Sequence, residues 1–114
     1  MPAIHKELAV GRWFQLSLLE QLGNIGSEVS RAARWQEKDD NLFWGAVERA
    51  LELFDLTLAD SRWRGRRREI ARAREVFGDA VFGGQLYGSS LADLQKYFDQ
   101  FAWAARFRLE RSRD

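Results

Sequence analysis

Apolar side chains that recur every three or four residues constrain this chain more than any other feature. Leu18, Leu22, Ile25, Val29, Ala32 and Ala33 keep that step, and Trp13, Leu16 and Leu19 widen the stripe. The period places these side chains along one side of an α-helix. It predicts a first helix that starts between Ile4 and Arg12 and runs to about Lys38. Gly23 and Gly26 fall inside it. A glycine in a helix interior costs about 1 kcal/mol against alanine, so this pair marks a place where another helix packs closely.

Asp39-Asp40-Asn41 is a stop followed by a restart, because Asp or Asn can accept from the free amides of the next helix. The second helix carries Phe43, Val47, Ala50, Leu51, Phe54 and Leu58 on one side and Glu48, Glu52 and Asp55 on the other, and it ends near Asp60. Ser61 to Gly65 reads as a loop, and a third helix follows over Arg66 to Phe82 with Ile70, Ala73, Phe77, Ala80 and Val81 inward. Gly83-Gly84 ends it by a left-handed cap, and Gln85 to Ser89 form a loop. Ser90 starts a fourth helix, with Asp93 three residues on in a variant of the capping box. Leu94, Phe98, Phe101, Ala105 and Leu109 form its stripe, and Arg106 to Asp114 become charged and fray. Four helices on short connections predict an all-α fold, an antiparallel four-helix bundle built as one domain over residues 1–114.

Composition narrows the chemistry. The 114 residues contain no cysteine, which excludes a disulfide scaffold, a thiolate zinc site and a cysteine nucleophile. The single histidine, His5, precedes the first helix. A di-iron bundle needs inward Glu-x-x-His pairs, and Glu28, Glu48, Glu52 and Glu75 have no imidazole beside them. They read as solvated helix faces. Ser17, Ser27, Ser30, Ser89 and Ser90 lack a base, and Gly83-Gly84 lacks the Lys-Ser/Thr of a phosphate loop. No catalytic residue, metal ligand or cofactor is therefore assigned, and an enzyme built on carboxylates ranks last among the readings. No run of about 18 apolar residues exists to span a membrane. Met1 to Val10 lacks the pattern of a secretory signal, so the expected compartment is the cytoplasm.

Charge is uneven although its sum is only +1. Residues 1–60 hold 6 Lys/Arg against 10 Asp/Glu, and residues 61–114 hold 12 against 7. Arg62, Arg64, Arg66, Arg67, Arg68, Arg72 and Arg74 crowd into 13 residues around Trp63, with Glu69 the only acid. Guanidinium forks grip phosphates and an indole stacks on bases, so Arg62 to Arg74 are the candidate nucleic-acid contacts. The competing reading pairs these arginines with Glu48, Glu52 and Asp55, or with a neighbouring subunit.

The fourth helix is apolar around most of its circumference from Tyr97 to Phe107. One bundle face needs only about a third of each helix. Tyr97, Trp103, Ala104 and Phe107 are left as candidate interface residues, and Trp13, Phe14, Trp35, Phe43 and Trp44 add aromatic area. A homo-oligomer is expected, most simply a two-fold dimer, with another protein partner as the alternative.

Leu22-Gly23-Asn24-Ile25-Gly26-Ser27-Glu28-Val29-Ser30-Arg31-Ala32 with Trp35 resembles a small prokaryotic all-helical family. Glu48 to Thr57 and Gln95 to Phe101 are similar to its later blocks, so the likeness covers about residues 8–107. At fold level the chain resembles HEPN-type bundles, which accompany minimal nucleotidyltransferases, and the oligomeric nucleic-acid-binding bundles of ribosomal intervening sequences. Active HEPN ribonucleases carry an Arg followed four to six residues later by His, and this chain has no such pair. The residues themselves favour a non-catalytic, self-associating helical interaction protein, and the HEPN-type resemblance implies a nucleotidyltransferase-like enzyme as a candidate partner. A nucleic-acid-binding oligomer using Arg62 to Arg74 is the alternative.

Overall fold

The computed structural model describes residues 11–84, 88 and 90–99. Helix α1 spans Leu18–Trp35, and its start is set by a reciprocal cap. The Ser17 hydroxyl accepts from the Glu20 amide at 3.1 Å, and the Ser17 amide donates to the Glu20 carboxylate at 3.0 Å. The helix thus begins later than the apolar stripe suggests. Trp13 lies before it, in a 3-10 turn over Trp13–Gln15. The helix also stops earlier, at Trp35, because Glu37 takes a left-handed φ of 63° and turns the chain.

Helix α2 runs over Asp40–Ala59, with the Asp39 carboxylate accepting from the Leu42 amide at 3.0 Å. The stop and restart expected at Asp39 to Asn41 is in place. The stretch expected as a loop is a 3-10 turn over Ser61–Arg66, capped by the Asp60 carboxylate through the Arg62 amide. Helix α3 covers Arg67–Val81. Gly83 and Gly84 have φ of 108° and 73°, and the Gly84 amide closes on the Asp79 carbonyl at 2.8 Å. Only glycine takes such angles freely, so the cap ends the helix as expected. Helix α4 is described over residues 91–99, with the Ser90 hydroxyl accepting from the Asp93 amide at 3.1 Å.

The fold is all-α, with four helices packed against each other around one core. Gln21 meets Asp60 and Glu28 meets Arg49, so α1 and α2 run antiparallel. Trp44 meets Phe82 and Asp55 meets Arg74, so α2 and α3 do the same. Phe54 of α2, Phe77 of α3 and Phe98 of α4 meet at the centre, all fully buried. Trp103, Ala104 and Phe107, and the stripe residues from Phe101 onward, lie outside the described residues.

Gly26 is where α4 presses onto α1. A β-carbon built there would stand 2.7 Å from the Phe98 β-carbon. That atom is fixed to the α4 backbone and cannot rotate aside. Alanine would gain about 1 kcal/mol in helix propensity. Pushing the helices apart costs more, so Gly26→Ala is expected to lose about 1–3 kcal/mol on overpacking grounds. Urea titration checks this, and a stability gain would mean that α4 can yield.

Candidate functional site

The arginine run starts from a buried anchor. Asp60 is almost wholly buried at the end of α2, and Arg62 grips it through Nη2 at 2.7 Å and Nε at 3.0 Å. Arg62 Nη2 also donates to the Leu16 carbonyl. Side-chain hydrogen bonding from Arg62 holds the Asp60 carboxyl at about 2, against the upward push of burial. The Arg62 guanidinium lies 4.4 Å from the centre of the Trp63 ring. Trp63 is half-buried, and its Nε1 donates to Gln21 Oε1 at 2.9 Å.

Gln21 is fully buried and knits this corner together. Its Nε2 donates to the Trp13 carbonyl and to Asp60 Oδ2, each at 3.0 Å. Trp13 Nε1 donates in turn to the Thr57 hydroxyl at 3.2 Å. Every bond here ties one element to another, so Arg62 and Trp63 are committed to joining α1, α2 and the 3-10 turn.

The other arginines divide. Arg67 Nε donates to the Leu58 carbonyl at 3.0 Å and so caps the end of α2. Arg74 meets Asp55 at 2.9 Å, the helix-to-helix pairing weighed from the charge pattern. Arg66 pairs with Glu69 one turn away, both exposed. Arg72 is exposed and also has an interaction partner. Arg64 and Arg68 are exposed and make no hydrogen bond or ion pair among the described residues.

Glu28 departs from the solvated-face reading. It is 6% exposed, and its two oxygens are held by Arg31 at 2.8 Å and Arg49 at 3.0 Å. Both of its oxygens are satisfied, which makes it a strut between α1 and α2. Glu48 and Glu75 are exposed, and Glu52 is half-buried.

Two surface grooves accompany these contacts. One of about 600 Å³ lies between α3 and α4, with Ala73, Val76 and Leu94 along it and Tyr97 at its edge. Its carboxylates are Asp93 and Glu69, and Glu69 is already bound to Arg66. The other, of about 500 Å³, runs beside Leu18, Leu22 and Trp63. No group of three or more metal-ligating side chains gathers among the described residues. No helix among them is long and apolar enough to cross a membrane.

Apart from Tyr97, the exposed aromatic residues lie elsewhere. Trp44 is 43% exposed and Phe82 75% exposed, and their rings touch with centroids 6.0 Å apart. Phe43 backs Trp44 edge-on from the core at 4.9 Å. Leu42 is exposed at the same end of α2. Tyr97, the described member of the expected interface, is 48% exposed and packs edge-on against Phe98. Sequence reasoning counts Trp44 as added aromatic area but misses Phe82, which it places at the last turn of α3. A large aromatic residue directly before a Gly-Gly cap is the signal that could have found it.

Comparison with protein-family models, curated proteins and solved structures returns no match. The family likeness drawn from residues 22–32, 48–57 and 95–101 therefore has no support beyond the all-helical fold.

Proposed function

We propose that this chain is a non-catalytic helical interaction protein, and that the Trp44–Phe82 end of α2 and α3 is its working surface. One observation carries the reading: two large rings pack against each other at a tilt of 44° at the solvent-facing surface, outside the core of buried side chains. Exposed aromatic pairs of this kind are what protein interfaces bury as anchors. The nucleotidyltransferase-like partner belongs to the resemblance and gains no residue from the geometry.

A photo-reactive side chain at position 82, introduced in the cells of origin, tests the proposal. Adducts are expected there and not at Arg31, an exposed control on α1. Equal labelling at the two positions, or none at 82, would remove the reading. The nucleic-acid alternative retains Arg64 and Arg68. It would replace the proposal if the chain bound generic RNA with a steep salt dependence, and did so equally well after Trp44 and Phe82 were changed to alanine.

A further inference from the structure

The outer face of α2 and α3 is ordered along its length. On a helix, positions 44, 48 and 55 share one side, as do positions 82, 75 and 68. The Trp44–Phe82 and Asp55–Arg74 contacts hold the two stripes side by side. From one end to the other, the face reads aromatic at Trp44 and Phe82, acidic at Glu48 and Glu75, then Asp55–Arg74, then basic at Arg68, with Arg64 in the 3-10 turn at the same end. All of these side chains reach solvent. Glu48, Arg64 and Arg68 have no hydrogen-bond or ion-pair partner among the described residues.

We propose that this face docks a second copy of the chain, turned end for end about a two-fold axis that crosses the helices near Glu75. The inference rests on the interaction reading above and names its partner. The turn lays Phe82 of one copy on Arg68 of the other and brings Trp44 toward the other copy's Arg64. A guanidinium over an aromatic face is attracted by the ring's negative face, most of all when the pair is desolvated. Each contact occurs twice, and the assembly closes at two copies. Turning the second copy about an axis along the helices would instead set acid on acid and arginine on arginine. In the favoured arrangement two like-charge approaches occur: Glu75 meets its own copy, with Arg72 and Arg74 within a helical turn of it, and Glu48 comes opposite the other copy's Asp55, which Arg74 already neutralises.

The area suits a dimer. Helix α2 is about 30 Å long at ~1.5 Å per residue. Two helices about 10 Å apart present a strip roughly 20 Å wide. The flat projection is on the order of 600 Å², and side-chain relief brings it near the ~800 Å² per partner of a standard interface.

The absence of cysteine makes the arrangement directly testable. Sedimentation equilibrium of the unaltered chain at tens of micromolar should give twice the 13.3 kDa mass. Arg64→Gln with Arg68→Gln should weaken the dimer by ~10-fold or more, as the loss of desolvated guanidinium contacts would. Phe82→Cys and Arg68→Cys, each oxidised alone, should stay uncrosslinked, because positions 82 and 68 lie about 21 Å apart along α3 at ~1.5 Å per residue. Mixed and oxidised together, they should give one disulfide-linked dimer. A 13.3 kDa species overturns the proposal, and so does a ladder of higher masses or crosslinking of either variant with itself. A monomeric chain that still forms site-specific adducts at position 82 in cells would end self-docking and leave the interaction reading standing.

Discussion

Replacing Phe54 with alanine is expected to remove about 3–5 kcal/mol of unfolding free energy, the range found when a buried aromatic ring is deleted. Phe54 has no exposed surface and touches Phe77 of α3 and Phe98 of α4, each with centroids 5.9 Å apart. Its own helix pairs with α1 through Glu28–Arg49 and Gln21–Asp60. The ring therefore sits where α2, α3 and α4 meet, and no single helix can move to fill the void. A domain of this size holds only about 5–15 kcal/mol in all, so at the low end of that range the variant unfolds outright. Phe54→Leu, which keeps most of the volume, is expected to lose less than about 1.5 kcal/mol and provides a folded comparison. Urea titration of both variants checks the ranking. A loss below about 1 kcal/mol for the alanine variant would take Phe54 out of the centre.

The centre is legible in the sequence because the apolar period alone dictates it. Ile25, Val29, Val47, Ala50, Phe54, Ile70, Phe77 and Phe98 all stand on the predicted stripes, and all are buried. Caps made of Asp or paired glycines are legible too, since Asp39 and Gly83-Gly84 supply the groups that free amides and left-handed turns require. The boundaries of α1 are not. Periodicity continues through Trp13 and Leu16 because these side chains also face the core, from a 3-10 turn and an extended residue. The Ser17-Leu18-Leu19-Glu20 capping pattern marks the true start and is outweighed by that stripe. At the other end the turn uses Glu37 with φ of 63°, where no glycine signals a stop.

The polar interior is harder to see. Gln21 stands on the α1 stripe between Leu18 and Ile25, and Thr57 stands on the α2 stripe three residues after Phe54. A polar side chain at an apolar position needs a buried partner, and its identity depends on a crossing that one helix alone does not encode. The same holds for the arginines. Their number suggests phosphate contacts, yet Arg62, Arg67 and Arg74 are held by Asp60, the Leu58 carbonyl and Asp55. Composition counts charges, whereas only the fold assigns their partners.

Asp60 gives the second large effect, and its size depends on pH. Asp60→Ala strips a partner from the fully buried Gln21 amide and from the Arg62 amide. It also leaves Arg62 without its carboxylate. Unpaired buried polar groups cost about 1–3 kcal/mol each, and the half-exposed Arg62 can turn to water, so a total loss of about 2–4 kcal/mol is expected. Asp60→Asn keeps the shape and an oxygen acceptor but removes the charge, which isolates the ion pair. The folded carboxyl sits at about 2, below its ordinary value of 3.8. A depressed carboxyl contributes stability that is fully present above 3.8 and is lost as pH falls toward 2. Each tenfold gain in the acidity of a carboxyl on folding is worth about 1.4 kcal/mol, and solvent reaching Arg62 reduces it, so the contribution is about 2 kcal/mol. The unaltered protein should therefore lead Asp60→Asn at about pH 6 and lose most of that lead by about pH 2, in denaturant titrations run across the window. A lead that stays constant with pH would mean that the Asp60 charge contributes nothing beyond its hydrogen bonds.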